Sequence, residues 1–223
     1  MTRPASALRL AACLFALTVF AQPAMAETKT YDLDKFERIK VSTGLRLTVT
    51  AGAAQTVTAE SDSGDFSELD IKVKDGVLVL SRDWNRLSWH QKKNDYKISV
   101  TAPKIEAIDA SAGSHSTLTK IDSGRFILDL SSGSHVAIDG RSSDCRVDIS
   151  SGANLSARAL NCEVANVDVS SGGHGELSVL KALVGDASSG GHLAVFGAPE
   201  RVNIDRSSGG RIKIVAPATA TRD

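Results

Sequence analysis

Aromatic side chains are scarce in this sequence, at 4% of 223 residues. A core built on large rings is therefore excluded, and small and β-branched residues must fill the interior. Cysteine occurs three times, too few for the dense disulfide framework that staples small secreted domains. Charge of one sign is lacking as well, with 26 basic residues against 26 acidic ones. That balance gives no electrostatic reason to expect nucleic acid or an anionic membrane surface as partner. Helical periodicity is missing too. What remains is abundant glycine, 18 residues, and many serines, in a chain long enough for one ordinary domain or two small ones.

The first residues read as an address rather than as structure. Arg3 and Arg9 supply a positive start, Leu10 to Ala21 an apolar stretch, and Ala24-Met25-Ala26 the small-x-small pattern of a cleavage site. The apolar stretch is shorter than the ~20 residues that a membrane span needs. Residues 1–26 are thus predicted to be a removed secretory signal, leaving no transmembrane segment and a slight negative balance. Leu10-Ala11-Ala12-Cys13 resembles a lipobox, but most of the apolar stretch follows Cys13 instead of preceding it. The expected location is the periplasm or the cell surface.

The chain then repeats itself. DASAGSH from Asp109, DLSSGSH from Asp129, DISSGAN from Asp148, DVSSGGH from Asp168, DASSGGH from Asp186 and DRSSGGR from Asp205 are variants of one phrase. Their central glycines, Gly113, Gly133, Gly152, Gly172, Gly190 and Gly209, are 18 to 20 residues apart. A period of this kind means one supersecondary unit stacked on copies of itself. Before each glycine, apolar and polar residues alternate, as in Leu128-Asp129-Leu130 and Val147-Asp148-Ile149. That is the period of a strand with one buried face. The unit is too short for a strand–helix–strand crossover. The expected fold is all-β: a parallel β-helix, or β-solenoid, of about six 18–20-residue rungs with an N-terminal β-rich cap.

Four segments follow from this: the signal, a cap over residues 27–103, the repeat solenoid over 104–216, and a disordered tail over 217–223. Within the cap, Val41-Ser42-Thr43-Gly44-Leu45 echoes the repeat as a divergent first rung, and Asp75-Gly76 between alternating runs predicts a hairpin. Trp84, Trp89 and His90 lie in a polar loop, where packing against the cap is favoured over sugar stacking. Cys145 and Cys162 sit seven and ten residues before their respective glycines. They are thus out of stacked register by about 10 Å of strand, beyond disulfide reach unless a corner intervenes.

The phrases Phe36-Glu37-Arg38-Ile39-Lys40-Val41-Ser42-Thr43-Gly44, Val73-Lys74-Asp75-Gly76-Val77-Leu78-Val79-Leu80 and Tyr96-Lys97-Ile98-Ser99-Val100, with the Ser-Ser-Gly-Gly rungs, resemble the head GIN domain family. Its members are exported bacterial proteins labelled as auto-transporter adhesins. The resemblance implies a β-solenoid outside the cytoplasm, and it brings no catalytic residues with it.

An aspartate and serines recur in every phrase and a histidine in four of the six, but they do not make a hydrolase. Asp129 and Ser131 are about 6.6 Å apart along one strand, and stacking sets like over like rather than acid beside base. Asn154 and Arg211 replace histidine in two rungs, so the repeat does not demand imidazole. Ser131 is expected on the outer face and Ser132 on the inner side near the bend, with Asp129 pointing outward.

Two outer rows remain: aspartates that include Asp129, Asp168 and Asp186, and histidines His115, His135, His174 and His192. These seven are the candidate binding residues. The histidines form two potential pairs, 115 with 135 and 174 with 192, which is two ligands where zinc needs three or four; no metal, cofactor or catalytic residue is assigned. The expected function is a non-enzymatic exported module, adhesin-like or structural, for an envelope glycan or a surface protein. The competing reading is a polysaccharide-active β-helix lyase or hydrolase.

Overall fold

The computed structural model describes residues 26–52, 54–83 and 95–215. The signal segment, the loop with Trp84, Trp89 and His90, and the C-terminal tail lie outside the described residues. Every regular element described is a strand, and the architecture is a parallel β-solenoid of about five turns. The six glycines of the repeated phrases bound five complete turns, and the left-handed Thr43-Gly44 corner adds a further rung.

Four long strands carry the middle of the coil: β9 (His115–Leu130), β10 (His135–Ile149), β11 (Asn154–Val169) and β12 (His174–Ala187). Each pairs in parallel with the next. β13 (His192–Phe196) and β14 (Arg201–Arg206) both follow on β12, and β15 (Arg211–Val215) follows on β13. The long strands bend midway, where the registers slip. One such bend, at Gly140, requires glycine twice over: φ is 134°, and a Cβ would stand 2.1 Å from the Ile121 carbonyl oxygen.

Alternation does the rest. Leu128, Leu130, Val147, Ile149, Val167 and Val169 are all buried, while Asp129 and Asp168 between them are exposed. Like residues stack over like along the axis, so each interior column is a continuous apolar file. Each buried aliphatic side chain contributes about 1.5–3 kcal/mol. Gly175 keeps space in one file for its neighbours, since a Cβ there would meet the Ile149 and Leu193 methyls at 2.8 and 3.1 Å. The core contains few rings, with Phe126 and Tyr96 the largest among its fully buried side chains.

The repeated Ser-Ser-Gly phrase forms the corner. Ser132 and Gly133 take φ of 50° and 70°, and the Ser134 amide donates to the Ser131 carbonyl at 3.1 Å. This is a type I′ turn. It corrects the expected placement of the serines: Ser132 is exposed on the outside of the bend, and the inward residue is Ser134, fully buried. The left-handed conformation at Ser132 turns its side chain out. The corners are themselves laddered, with the Gly133 amide donating to Ser151 O at 3.1 Å and Gly152 to Ser171 O at 3.1 Å.

The N-terminal part is woven into the coil. β2 (Arg38–Val41) and β3 (Arg46–Ala51) form a rung joined at Thr43-Gly44, which adopts the same left-handed pair. Gly44 donates to Ala112 O at 2.9 Å, as the echo in the sequence suggested. That rung lies between β6 (Val77–Arg82) with β7 (Tyr96–Ala102) on one side and β8 (Ala107–Ala110) with β9 on the other. Antiparallel strands then cover this end: β4 (Thr56–Ser61) on β7, β1 (Glu27–Tyr31) on β4, and β5 (Leu69–Lys74) on β6. The β5–β6 hairpin turns at Asp75-Gly76, as predicted.

Cys145 and Cys162 are disulfide-bonded, with Cα atoms 5.9 Å apart. A corner does intervene: Cys162 stacks on Ser142, and Ser142 and Cys145 both face inward with two outward residues between them, which places a bend there. The bridge therefore crosses the inside of the coil.

Candidate functional site

The register assembles seven outward side chains, one per rung, immediately after the turn. Arg46 stacks on His115, His115 on His135, His135 on Asn154, Asn154 on His174, His174 on His192, and His192 on Arg211. With rungs about 4.8 Å apart, the row spans about 29 Å. Read along the axis it is Arg-His-His-Asn-His-His-Arg. The predicted pairs are real contacts: the His115 and His135 rings stack at 4.8 Å, and those of His174 and His192 at 5.3 Å.

Hydrogen bonding fixes the tautomer of one ring in each pair. His115 Nδ1 is 3.1 Å from the Gly113 carbonyl oxygen, and His174 Nδ1 is 2.7 Å from that of Gly172. A carbonyl only accepts, so each Nδ1 carries the hydrogen, and the lone pair of the neutral ring sits on Nε2. Beside the row runs a strip of mainly small side chains, among them Thr48, Thr117, Ala137 and Ser156. Row and strip together line a shallow axial trough, in two stretches of about 460 Å³ each that meet at Asn154 and Ser156. Lys97 and Glu60 flank its N-terminal end, and Glu176 and Lys213 lie toward the other end.

Before the turn, Asp109, Asp129, Asp148, Asp168, Asp186 and Asp205 stack in register on a different side of the corner. Lys40, one rung earlier, is ion-paired with Asp109 at the head of this column. It stands four residues before Gly44, the aspartate position of the divergent phrase, with lysine in place of the acid. Burial pushes the Asp148 carboxyl above the usual carboxylate range, repulsion from Asp129 and Asp168 adds to this, and Arg146 opposes it. On the remaining side opposite charges meet between neighbouring rungs, Arg141 with Asp122 at 2.6 Å and Lys181 with Glu163 at 2.8 Å. The aspartate column instead sets like charges over one another.

The structure thus gathers His115, His135, His174 and His192 into one row, and Asp129, Asp168 and Asp186 into another across the turn. Arg46 and Arg211, which flank the histidines in the first row, were not among the candidates, nor was Lys97, which stacks on Arg46 beyond them. The two arginines stand at the histidine position of their phrases, two residues after Gly44 and Gly209, where arginine replaces the imidazole. No group of three or more histidine, cysteine, aspartate or glutamate side chains able to hold a metal occurs among the described residues.

Residues 35–199 match the family described as putative auto-transporter adhesin, head GIN domain. The chain belongs to that family. Among solved structures, a putative adhesin from Bacteroides fragilis superposes with a TM-score of 0.68 at 16% identity, covering 86% of this chain and 97% of its own. A putative lipid binding protein from Parabacteroides distasonis superposes at 0.50 and 14% identity, covering 85% and 96%. At such identities the likeness carries the fold alone. No curated protein matches the chain. Membership in this head GIN family implies an exported or surface protein, and its description suggests binding rather than catalysis.

Proposed function

We propose that this head GIN protein is a non-catalytic binding module of the periplasm or cell surface, and that the histidine row holds a repetitive envelope glycan. The observation that carries this reading is the unbroken register from Arg46 to Arg211 along an open trough. A ligand with its own repeat gains from groups at fixed spacing, each rung adding a small share to a multivalent contact. The buried disulfide supports an oxidising compartment. Six near-equivalent copies of one phrase argue against a unique nucleophile or acid–base pair.

Distributed binding has a measurable signature. Replacing His135 alone should weaken binding to purified envelope polysaccharides only slightly, whereas replacing all four histidines should weaken it far more. Turnover of the same glycans is followed in parallel. A turnover abolished by one substitution in one rung would revive the lyase or hydrolase reading. Intact protein that binds no glycan would favour an architectural role.

A further inference from the structure

The trough contains nearly balanced fixed charge. Arg46, Lys97, Arg211 and Lys213 are its cations; Glu60 and Glu176 are its anions, and Asp95 pairs with Arg46 at 3.2 Å. Of the elements that line it, β3, β7 and β15 bring those four cations, and β4 and β12 bring the two glutamates. Strands β9, β10, β12 and β13 add the four histidines, and β11 contributes only Asn154 to the row. The aspartate column lies across the turn and does not line the trough. With neutral rings the trough is thus only slightly positive, and how strongly positive it becomes is decided by the four imidazoles, a side chain that gains a proton on mild acidification.

Resting on the glycan-binding reading above, we propose that the ligand is a linear carboxylated polysaccharide, laid along the axis and held more tightly as the imidazoles gain protons. The geometry prepares one ring of each stacked pair for this. At His115 and His174, Nδ1–H already donates to a backbone carbonyl, so protonation adds a donor at Nε2 and breaks no internal bond. Two protonated rings stacked at 4.8 and 5.3 Å repel each other. An anion lying over both relieves that repulsion, so binding and proton uptake must be linked. Arg46 and Arg211, on either side of the histidines, suit bidentate contact with carboxylates, Arg46 by exchanging its exposed contact with Asp95. An extended β-1,4-linked chain also advances by close to one rung per sugar, which lets successive residues meet successive rungs.

The test uses the intact secreted protein with two probes of matched backbone, polymannuronate and neutral β-1,4-mannan. Titration calorimetry in buffers of different ionisation enthalpy, at about pH 7.5 and about pH 5.5, reads affinity and proton uptake together. Polymannuronate should bind on the order of tenfold or more tightly at the lower pH, with net proton uptake and a steep loss in added salt. The mannan should bind more weakly and with no pH dependence. A variant with His115, His135, His174 and His192 all replaced by Asn should fold, since Asn154 already occupies this row, and should lose the pH dependence. Retention of that dependence in the quadruple variant, or its absence from the wild type, overturns the proposal. Mannan binding equal to that of polymannuronate overturns the acidic ligand class and leaves glycan binding standing. Binding of neither polymer overturns both.

Discussion

Asp129 and Leu130 are adjacent in the chain and stand on opposite sides of the coil wall. Leu130 is fully buried in an apolar file, so Leu130→Asp places an unpaired charge inside and should cost upwards of about 4 kcal/mol, or prevent folding. Asp129→Asn should be close to neutral in the same denaturant melts. Equal shifts for the two would contradict the assignment of faces. Asp148 adds a pH signature. A carboxyl whose folded value is raised binds its proton more readily in the native state, so its contribution to stability is lost as pH rises through the window above the ordinary carboxylate range. Asp148→Asn should therefore stabilise the protein at neutral pH by about 0.2–1 kcal/mol and have no stabilising effect in acid. A variant less stable than wild type at neutral pH would show that the column repels less than its geometry demands. The outward position of these carboxylates was legible from alternation alone. The side taken by Ser132 was not, because alternation stops where two successive residues adopt left-handed backbone.

Within the turn element, two glycines separate backbone strain from steric exclusion. At Gly133 φ is 70° and a Cβ would meet nothing within 4 Å, so Gly133→Ala should cost only the left-handed penalty of about 1–2 kcal/mol. At Gly191 the same Cβ would lie 2.3 Å from the Val169 carbonyl oxygen. Gly191→Ala should thus cost more than Gly133→Ala, although it carries no positive φ; melting the two variants side by side decides it, and the reverse order would refute the close approach of those rungs. The disulfide is the other local constraint. It closes a separation of 17 residues with both cysteines fully buried. Converting Cys145 and Cys162 to Ala should cost about 2–4 kcal/mol. Reductant should leave the folded wild type intact and act only under conditions that open the coil. Neither the bridge nor its burial was decidable from spacing, since a three-residue offset is out of reach along a strand and within reach across a corner.

For the whole molecule, the solenoid was readable because one error-tolerant signal, a glycine every 18 to 20 residues, was written six times. The order of the rungs was not, since β2 and β3 enter the stack between strands that follow them in the chain. Lys40 and Arg46 hold the aspartate and histidine positions of the Gly44 phrase. What they stack on, Asp109 and His115, lies 69 residues further along and was not readable from the order of the chain. The same order governs stability. Rungs touch only their neighbours, so an end rung opens by breaking one interface and a central rung by breaking two. The N-terminal end is covered by antiparallel β1, β4 and β5, whereas β14, in the last described rung, is exposed at every position but Ile204. Hydrogen exchange followed by mass spectrometry should show residues 201–215 exchanging first and residues 126–169 last, with β2 and β3 protected despite their early place in the sequence. Exchange of β2 and β3 ahead of β14 would refute the stacking order. Because Arg211 and Lys213 belong to the rung that opens most readily, a chain bound along the full trough must hold that rung closed. Saturating polymannuronate at acid pH should consequently slow exchange in β15 more than in β9 or β10, and protection confined to the Arg46 end would mean that the ligand stops short of Asn154.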